Sequence, residues 1–269
     1  MRLSAPKVGQ RPRRFSRRIV LALMALAATL TCAFPLFHFI TRRMFFAAIN
    51  QHDVKTAVQM LKFNHSLVHA EDEWGSTGLD LAIDLNEPAL VRELTLGGAD
   101  VHHEARLTGL PLHHAAFGAR VEIMLDLLRA GADPNRQPQR KPSHGYGTAL
   151  HFAVLSGTVK PVAVLLEHGA DVNAAAMDHG GVTPLIVCMT NGRRSPELID
   201  VVKTLLAAGA DVNATDDRGV TALDAIRDVR TRARGAKAKV LEDIEKVLLA
   251  HGAQPGAGRH GAAKRPGPN

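Results

Sequence analysis

Histidine is the residue type in this sequence with the most obvious capacity for chemistry. The chain of 269 residues contains 14 histidines, and an imidazole can bind a metal or transfer a proton near neutral pH. Two pairs are adjacent, His102-His103 and His113-His114, while His144 and His151 are separated. Adjacent histidines do not have the i, i+4 helical spacing of zinc-protease motifs. We therefore expect no metal site and no metal cofactor.

The usual arrangements of catalytic groups are also missing from the sequence. It contains no nucleophile elbow, no phosphate-binding glycine loop and no C-x-x-C pair. The carboxylates Asp133, Asp171 and Asp211 recur at one position of a repeated phrase. This recurrence indicates turn residues and not an acid–base pair. We predict that the protein is not an enzyme, has no cofactor and takes no small-molecule substrate.

The repeated phrase is most complete as EHGADVN, at Glu167–Asn173. Versions of it recur along most of the chain, and each contains a glycine near its start. These glycines lie at positions 98, 131, 169, 209 and 252, so the intervals are 33, 38, 40 and 43 residues. A period of this size, lengthened by insertions, indicates a stacked array of small structural units.

Each unit contains the same parts in the same order. A Leu-Leu pair such as Leu165-Leu166 precedes the glycine and indicates the buried end of a helix. The glycine ends that helix by adopting a positive φ. A polar turn follows, and a Thr-x-Leu motif then begins a new helix with threonine as its cap. We predict that Leu165 and Leu166 are both buried between units. The motif begins at Thr77, Thr148, Thr183 and Thr221, and Leu110-Pro111-Leu112-His113 replaces it in the remaining unit.

Helix, turn, helix and hairpin loop, with T-P-L-H-like and G-A-D-V-N-like signatures at a 33-residue period, resemble the ankyrin repeat. The resemblance extends over residues 43–255, as five clear units and a degenerate capping unit at Phe45–Phe63. It implies an all-α solenoid of helix-turn-helix units with hairpin loops. It also implies that His113 and His151, at the last position of the T-P-L-H motif, form hydrogen bonds to neighbouring turns.

The resemblance further implies that the protein binds an unknown protein partner. The binding surface would be the hairpin tips and the exposed residues of the first helices, which line a concave groove. Exposed aromatic and arginine side chains are good anchors at such positions. For Trp74 the alternative is packing over the adjacent hairpin, and for Phe152 it is a place in the core. The candidates are Trp74, Arg106, Leu107, His144, Tyr146, Phe152, Leu155, His179 and Arg218.

An apolar run of 22 residues without formal charge occupies positions 19–40. As a helix it would be about 33 Å long, enough to cross a hydrocarbon core of about 30 Å. Seven basic residues precede the run, whereas only Arg42 and Arg43 follow it closely. Basic residues are retained in the cytoplasm. We predict a cytoplasmic segment at 1–18, a transmembrane signal anchor at 19–40, and repeats on the outer, periplasmic side of the cytoplasmic membrane.

Cleavage of the apolar run is the alternative. Thr31-Cys32-Ala33 is a passable small-x-small cleavage site, and the product would be a soluble periplasmic or secreted binding protein. However, the run continues through Phe34–Ile40, so cleavage would leave an apolar stub at the new N-terminus. The sequence favours the uncleaved anchor.

The net charge of +7 is concentrated at the two ends of the chain. Segment 1–18 carries seven basic residues, and the tail 256–269 carries three. The tail is rich in Gly and Pro, and we predict that it is disordered. Removing these ten from the 33 basic residues leaves 23 against 26 acidic residues. A nucleic-acid-binding domain needs its positive charge on a folded face. We expect no nucleic-acid partner, although docking of segment 1–18 on anionic lipid or nucleic acid is a third hypothesis.

Overall fold

The computed structural model describes residues 34–105, 109–139, 147–177, 180–191 and 197–256. Within these ranges the chain forms twelve α-helices, together with a 3₁₀-helix at His65–His69. The helices are α1 (Phe34–Asn50), α2 (Val54–Phe63), α3 (Gly78–Asp84), α4 (Pro88–Leu96), α5 (Pro111–Phe117), α6 (Val121–Arg129), α7 (Ala149–Ser156), α8 (Val159–Glu167), α9 (Pro184–Asn191), α10 (Leu198–Ala207), α11 (Ala222–Thr231) and α12 (Ala236–Ala250).

Consecutive helices form pairs, and the pairs stack in chain order. The first helix of each pair packs on the first helix of the next, from α1 through α11, and the second helices pack in the same way from α2 to α12. One apolar core therefore runs from Phe45 to Ala253 through every pair. The described ranges contain isolated β-bridges but no β-strand. The predicted all-α solenoid is confirmed.

The helix starts follow the predicted chemistry. Thr77 and Thr221 each accept a hydrogen bond from the third residue of the following helix, whose aspartate side chain bonds back to the threonine N–H. This reciprocal capping box satisfies backbone donors that the helix itself leaves unpaired. At Thr148 the returning side chain is His151 instead of an aspartate.

The helix ends depend on glycine, as the sequence indicates. Gly169 follows α8 with a φ of 84°, in the left-handed region that other residues enter only at a steric cost. The equivalent glycines, Gly98, Gly131, Gly209 and Gly252, also have positive φ.

The prediction for Leu165 and Leu166 is only half correct. Leu165 is fully buried, whereas Leu166 is half-buried. The same division occurs at Leu248, which is buried, and Leu249, which is exposed. Adjacent residues on an α-helix point about 100° apart, so only the first leucine faces directly into the interface between units.

Most of the predicted membrane segment lies outside the described residues. Residues 19–33 fall there, as do the basic segment 1–18 and the tail from 257 onwards. α1 begins at Phe34 and continues without interruption to Asn50, where it forms the first half of the predicted capping unit. In the part of the chain that the structure describes, no helix has both the length and the apolarity to cross a membrane.

Candidate protein-binding surface

Hairpin loops project between successive helix pairs. In the described ranges four of them are closed at the base by an isolated antiparallel bridge. The bridged pairs are Glu71–Thr77, Ala105–Gly109, Ala176–Val182 and Thr215–Thr221.

Two of the predicted contact residues, Trp74 and Arg218, occupy equivalent places at hairpin tips. In the first hairpin Asp72 Oδ1 accepts the N–H of Trp74 at 2.8 Å and a second N–H two residues later. In the last hairpin Asp216 Oδ1 accepts the N–H of Arg218 at 2.9 Å and again a second one. These bonds fix the backbone of both tips. Both side chains are exposed, Trp74 by 72%.

Sequence analysis missed Met177, which is 82% exposed in the hairpin at Ala176–Val182. The side chain of Gln137 supports this residue from the preceding loop. Its Oε1 accepts the N–H of Met177 at 3.0 Å, and its Nε2 donates to the carbonyl of Ala175 at 2.8 Å. The available signal was a large apolar residue among the small and polar residues of the turn.

The hairpins that carry Met177 and Arg218 are in direct contact. The N–H of Asp217 donates to the carbonyl of Gly180 at 2.8 Å. The exposed side chains of Met177 and Arg218 therefore belong to one surface made by adjacent units. We call it the two-hairpin surface (residues 175–177, 180–182 and 215–221).

Two candidates, Phe152 and Leu155, lie on a helix, and neither has the exposed side chain that we predicted. Phe152 is only 2% exposed, because its ring packs edge-on against the ring of His113, with 5.0 Å between the centroids. The prediction that Phe152 contacts a partner is wrong, and its role in the core is correct. Leu155 is half-buried against the core. The remaining candidates, Arg106, Leu107, His144, Tyr146 and His179, lie outside the described residues and stay predictions.

The motif histidines bind neighbouring turns, as the resemblance implies. His151 Nδ1 accepts the N–H of Thr148 at 3.1 Å, so the proton of the neutral ring is on Nε2, which donates to the carbonyl of Val182 at 3.0 Å. His113 Nε2 lies 3.1 Å from the carbonyl of Gly147. Burial lowers the pKa of both rings to about 4. Both histidines are therefore neutral structural groups at physiological pH.

Where an aspartate replaces the motif histidine, it makes the same kind of link to the next unit. Asp80 accepts a bond from Nδ1 of His103 at 3.0 Å, and this bond raises the pKa of His103. Asp224 accepts the N–H of Gly256 at 2.7 Å. In four units the fourth position of the motif therefore bonds to the chain that follows, by imidazole or by carboxylate. The unit that begins at Thr183 differs, because its fourth position is Ile186.

Among the described residues, the motif histidines and Cys188 are buried. Cys188 is enclosed in the core, and burial raises the pKa of its thiol to about 12. Among the described residues, no set of three His, Cys, Asp or Glu side chains is placed to hold a metal ion. What the described surface offers is contact area at the hairpin tips.

Comparison with known proteins agrees with this architecture. A family model described as ankyrin repeats in three copies matches residues 112–216. The chain also resembles a solved ankyrin repeat domain from Acinetobacter baumannii AYE, with a TM-score of 0.65 and 28% identity, over 78% of this chain and 98% of that one. The chain belongs to the ankyrin repeat family.

Curated ankyrin repeat relatives match smaller parts of longer proteins. The mouse B-cell lymphoma 3 protein homolog is 30% identical in an alignment 223 positions long, which covers 69% of this chain and 46% of that protein. The human ankyrin repeat and SOCS box protein 6 is 41% identical over 97 residues, which are 36% of this chain and 21% of that protein. The chain spans less than half the length of these relatives. Ankyrin repeats are modules for protein–protein interaction, so the exposed hairpin tips are the candidate binding surface.

Proposed function

We propose that this protein is a membrane-tethered binding module whose ankyrin repeats recognise another protein through the two-hairpin surface. The observation that carries the proposal is the pair of exposed side chains Met177 and Arg218, on hairpins joined by the bond from Asp217 to Gly180. Methionine and arginine are both enriched at protein interfaces.

The hydrogen bonds that hold the backbone at Met177 and Arg218 support a binding role. Gln137 holds the backbone at Met177, and Asp216 holds the backbone at Arg218. A loop that is ordered before it binds loses little conformational entropy on association. The side chains can therefore contribute their contact energy to affinity.

The membrane tether rests on the apolar run at 19–40 and on the seven basic residues before it. With the N-terminus inside, the repeats lie on the periplasmic side. The alternative remains cleavage after Ala33, which would release the same binding module in soluble form.

Affinity capture from membranes tests the binding function. The full-length chain is expressed in its own host, solubilised in mild detergent and captured, either as wild type or with M177A and R218A together. The double substitution should reduce the amount of its specific partner at least tenfold. The matched control is L96A, which removes an exposed leucine at the end of α4, away from the hairpins, and should leave capture unchanged. Equal loss with L96A, or no loss with the double variant, would contradict the proposal.

A reporter fusion tests the tether separately. An alkaline phosphatase that is active only when exported, fused after Pro255, should be active and should sediment with membranes. An active reporter in the soluble fraction would support cleavage near Ala33. A silent reporter, with a cytoplasmic reporter active at the same position, would place the repeats in the cytosol.

A further inference from the structure

A cavity of about 590 Å³ lies between α1 and the first hairpin. Phe39 and Ile40 line it from α1, and Trp74 lines it from the hairpin tip. All three side chains have large exposed fractions, 48% for Phe39, 41% for Ile40 and 72% for Trp74. The described chain therefore leaves apolar surface uncovered at this end of the array.

The wall of the same cavity contains charged residues of both signs. Arg42 and Arg43 contribute to its wall, and the guanidinium of Arg43 lies 5.7 Å from the centroid of the Phe39 ring. Asp72 and Glu73 lie on the hairpin side. Since two carboxylates accompany the two arginines, the cavity has no excess of positive charge that would demand an acidic partner.

The position of the cavity along α1 determines which molecules can cover its apolar surface. Phe45 is completely buried in the core of the first unit, and Ile40 is five residues earlier on the same helix. Five residues of α-helix are about 7.5 Å long. If the membrane span ends at residue 40, as the tether in the proposed function requires, the first unit lies within two helical turns of the bilayer.

We infer that Trp74, Phe39 and the arginines Arg42 and Arg43 form a contact with the phospholipid headgroup layer. Tryptophan is enriched at this depth because its ring is apolar and its N–H is polar. Arginine can place its stem against apolar surface while its guanidinium binds phosphate. Phosphate is common to zwitterionic and anionic phospholipids, so the contact requires no particular headgroup charge.

The hairpin holds Trp74 ready for such a contact. The two bonds to Asp72 fix the backbone at the tip, as described for the protein-binding surface. A fixed tip would orient the first unit against the membrane and limit rotation of the array about the end of the span. Trp74 then contacts the lipid surface, and the hairpins that carry Met177 and Arg218 bind the protein partner.

The inference can be tested directly because Trp74 is the only tryptophan in the chain. The full-length protein is reconstituted into phosphatidylcholine vesicles, with and without phosphatidylglycerol, and flotation establishes that it is membrane-bound. Tryptophan emission is then measured with acyl chains brominated near the headgroup. Trp74 should emit to the blue of an aqueous indole, with at least half of its emission quenched by bromine and little quenched by acrylamide. Both lipid mixtures should give this result.

A second protein provides the matched control. It carries W74F and M177W, so its single tryptophan replaces Met177, an exposed residue outside the cavity. This tryptophan should emit as in water and be quenched by acrylamide. Replacing Arg42 and Arg43 by glutamine should reduce bromine quenching of Trp74 while flotation persists.

Three results would overturn the inference. A protein that floats with the vesicles while Trp74 remains accessible to acrylamide would leave the tether intact and remove the lipid contact. A blue-shifted Trp74 without bromine quenching would show that protein covers the cavity, either a second copy or an apolar segment of the same chain. Failure to float would refute the tether and the lipid contact together.

Discussion

The side-chain oxygen of Asn135 accepts the backbone N–H of Asp171, in the next unit, at 2.7 Å. The amide nitrogen of the same side chain donates to the carbonyl of Gly169 at 2.9 Å. Asn173 makes the same two bonds to Asp211 and Gly209. Asn213 repeats them once more, to Gln254 and Gly252. The asparagine of these three phrases is therefore a connector to the next unit. In the phrase that begins at Gly98 the same position is His102.

Substitution N173A should loosen the junction between α8 and α10. It removes two hydrogen bonds and leaves the backbone groups at Gly209 and Asp211 to find water, a loss of about 1–3 kcal/mol. Hydrogen exchange of the full-length protein should show faster exchange in the turns on both sides of the junction. The control K160A, at an exposed lysine on α8, should not change exchange there. Unchanged protection in N173A would mean that packing alone holds the units together.

The two buried histidines should make stability depend on pH. Their pKa is about 4 in the fold and near 6.5 in the unfolded chain, so the unfolded state binds more protons between these values. Each histidine therefore contributes stability that is complete above pH 6.5 and is lost as the pH falls towards 4. The loss is on the order of 3 kcal/mol per histidine.

The substitution H151Q isolates one of these contributions. Glutamine does not titrate, so the stability of H151Q should fall less steeply than that of the wild type between pH 6.5 and pH 4. His103 acts in the opposite sense, because its hydrogen bond to Asp80 raises its pKa, but His103 is common to both proteins. Urea unfolding at several pH values measures the difference. Parallel pH profiles would contradict the assignment of His151 as a buried neutral ring.

The leucine pairs should respond unequally to truncation. L165A removes a fully buried side chain and should cost about 2–5 kcal/mol, since it leaves a cavity between units. L166A removes a half-buried side chain and should cost less than half as much. Thermal unfolding of the two variants provides the comparison. A larger effect for L166A would reverse the assignment of the inner face of α8.

Gly256 should be required to close the last unit. A Cβ at this position would collide with the carbonyl oxygen of Gly219 and lie 2.9 Å from the Asp224 carboxylate. G256A should therefore break the bond from Gly256 to Asp224 and speed hydrogen exchange in α11 and α12. Q254A is the control, because Gln254 bonds its neighbours through backbone atoms only and has an exposed side chain. Equal exchange in G256A and wild type would show that the chain beyond Ala253 does not hold the last unit closed.

The sequence by itself determined the repeating scaffold of this protein. Local chemistry fixes where the helices begin and end, because a threonine such as Thr221 caps a helix within its own first turn. A glycine such as Gly169 ends a helix through its own φ. The bonds of His113 and His151 to neighbouring turns were implied by the resemblance to the ankyrin repeat, and they occur at Gly147 and Val182.

Only the tertiary structure decided which side chains face solvent. Phe152 and Leu155 lie on one short helix, yet the first is buried against His113 of the preceding unit and the second is half-exposed. Met177 projects because Gln137, forty residues earlier, holds its backbone. Trp74 and Phe39 share a cavity that joins two distant segments. Exposure depends on how neighbouring units pack, and that packing is a relation between distant segments that no single repeat contains.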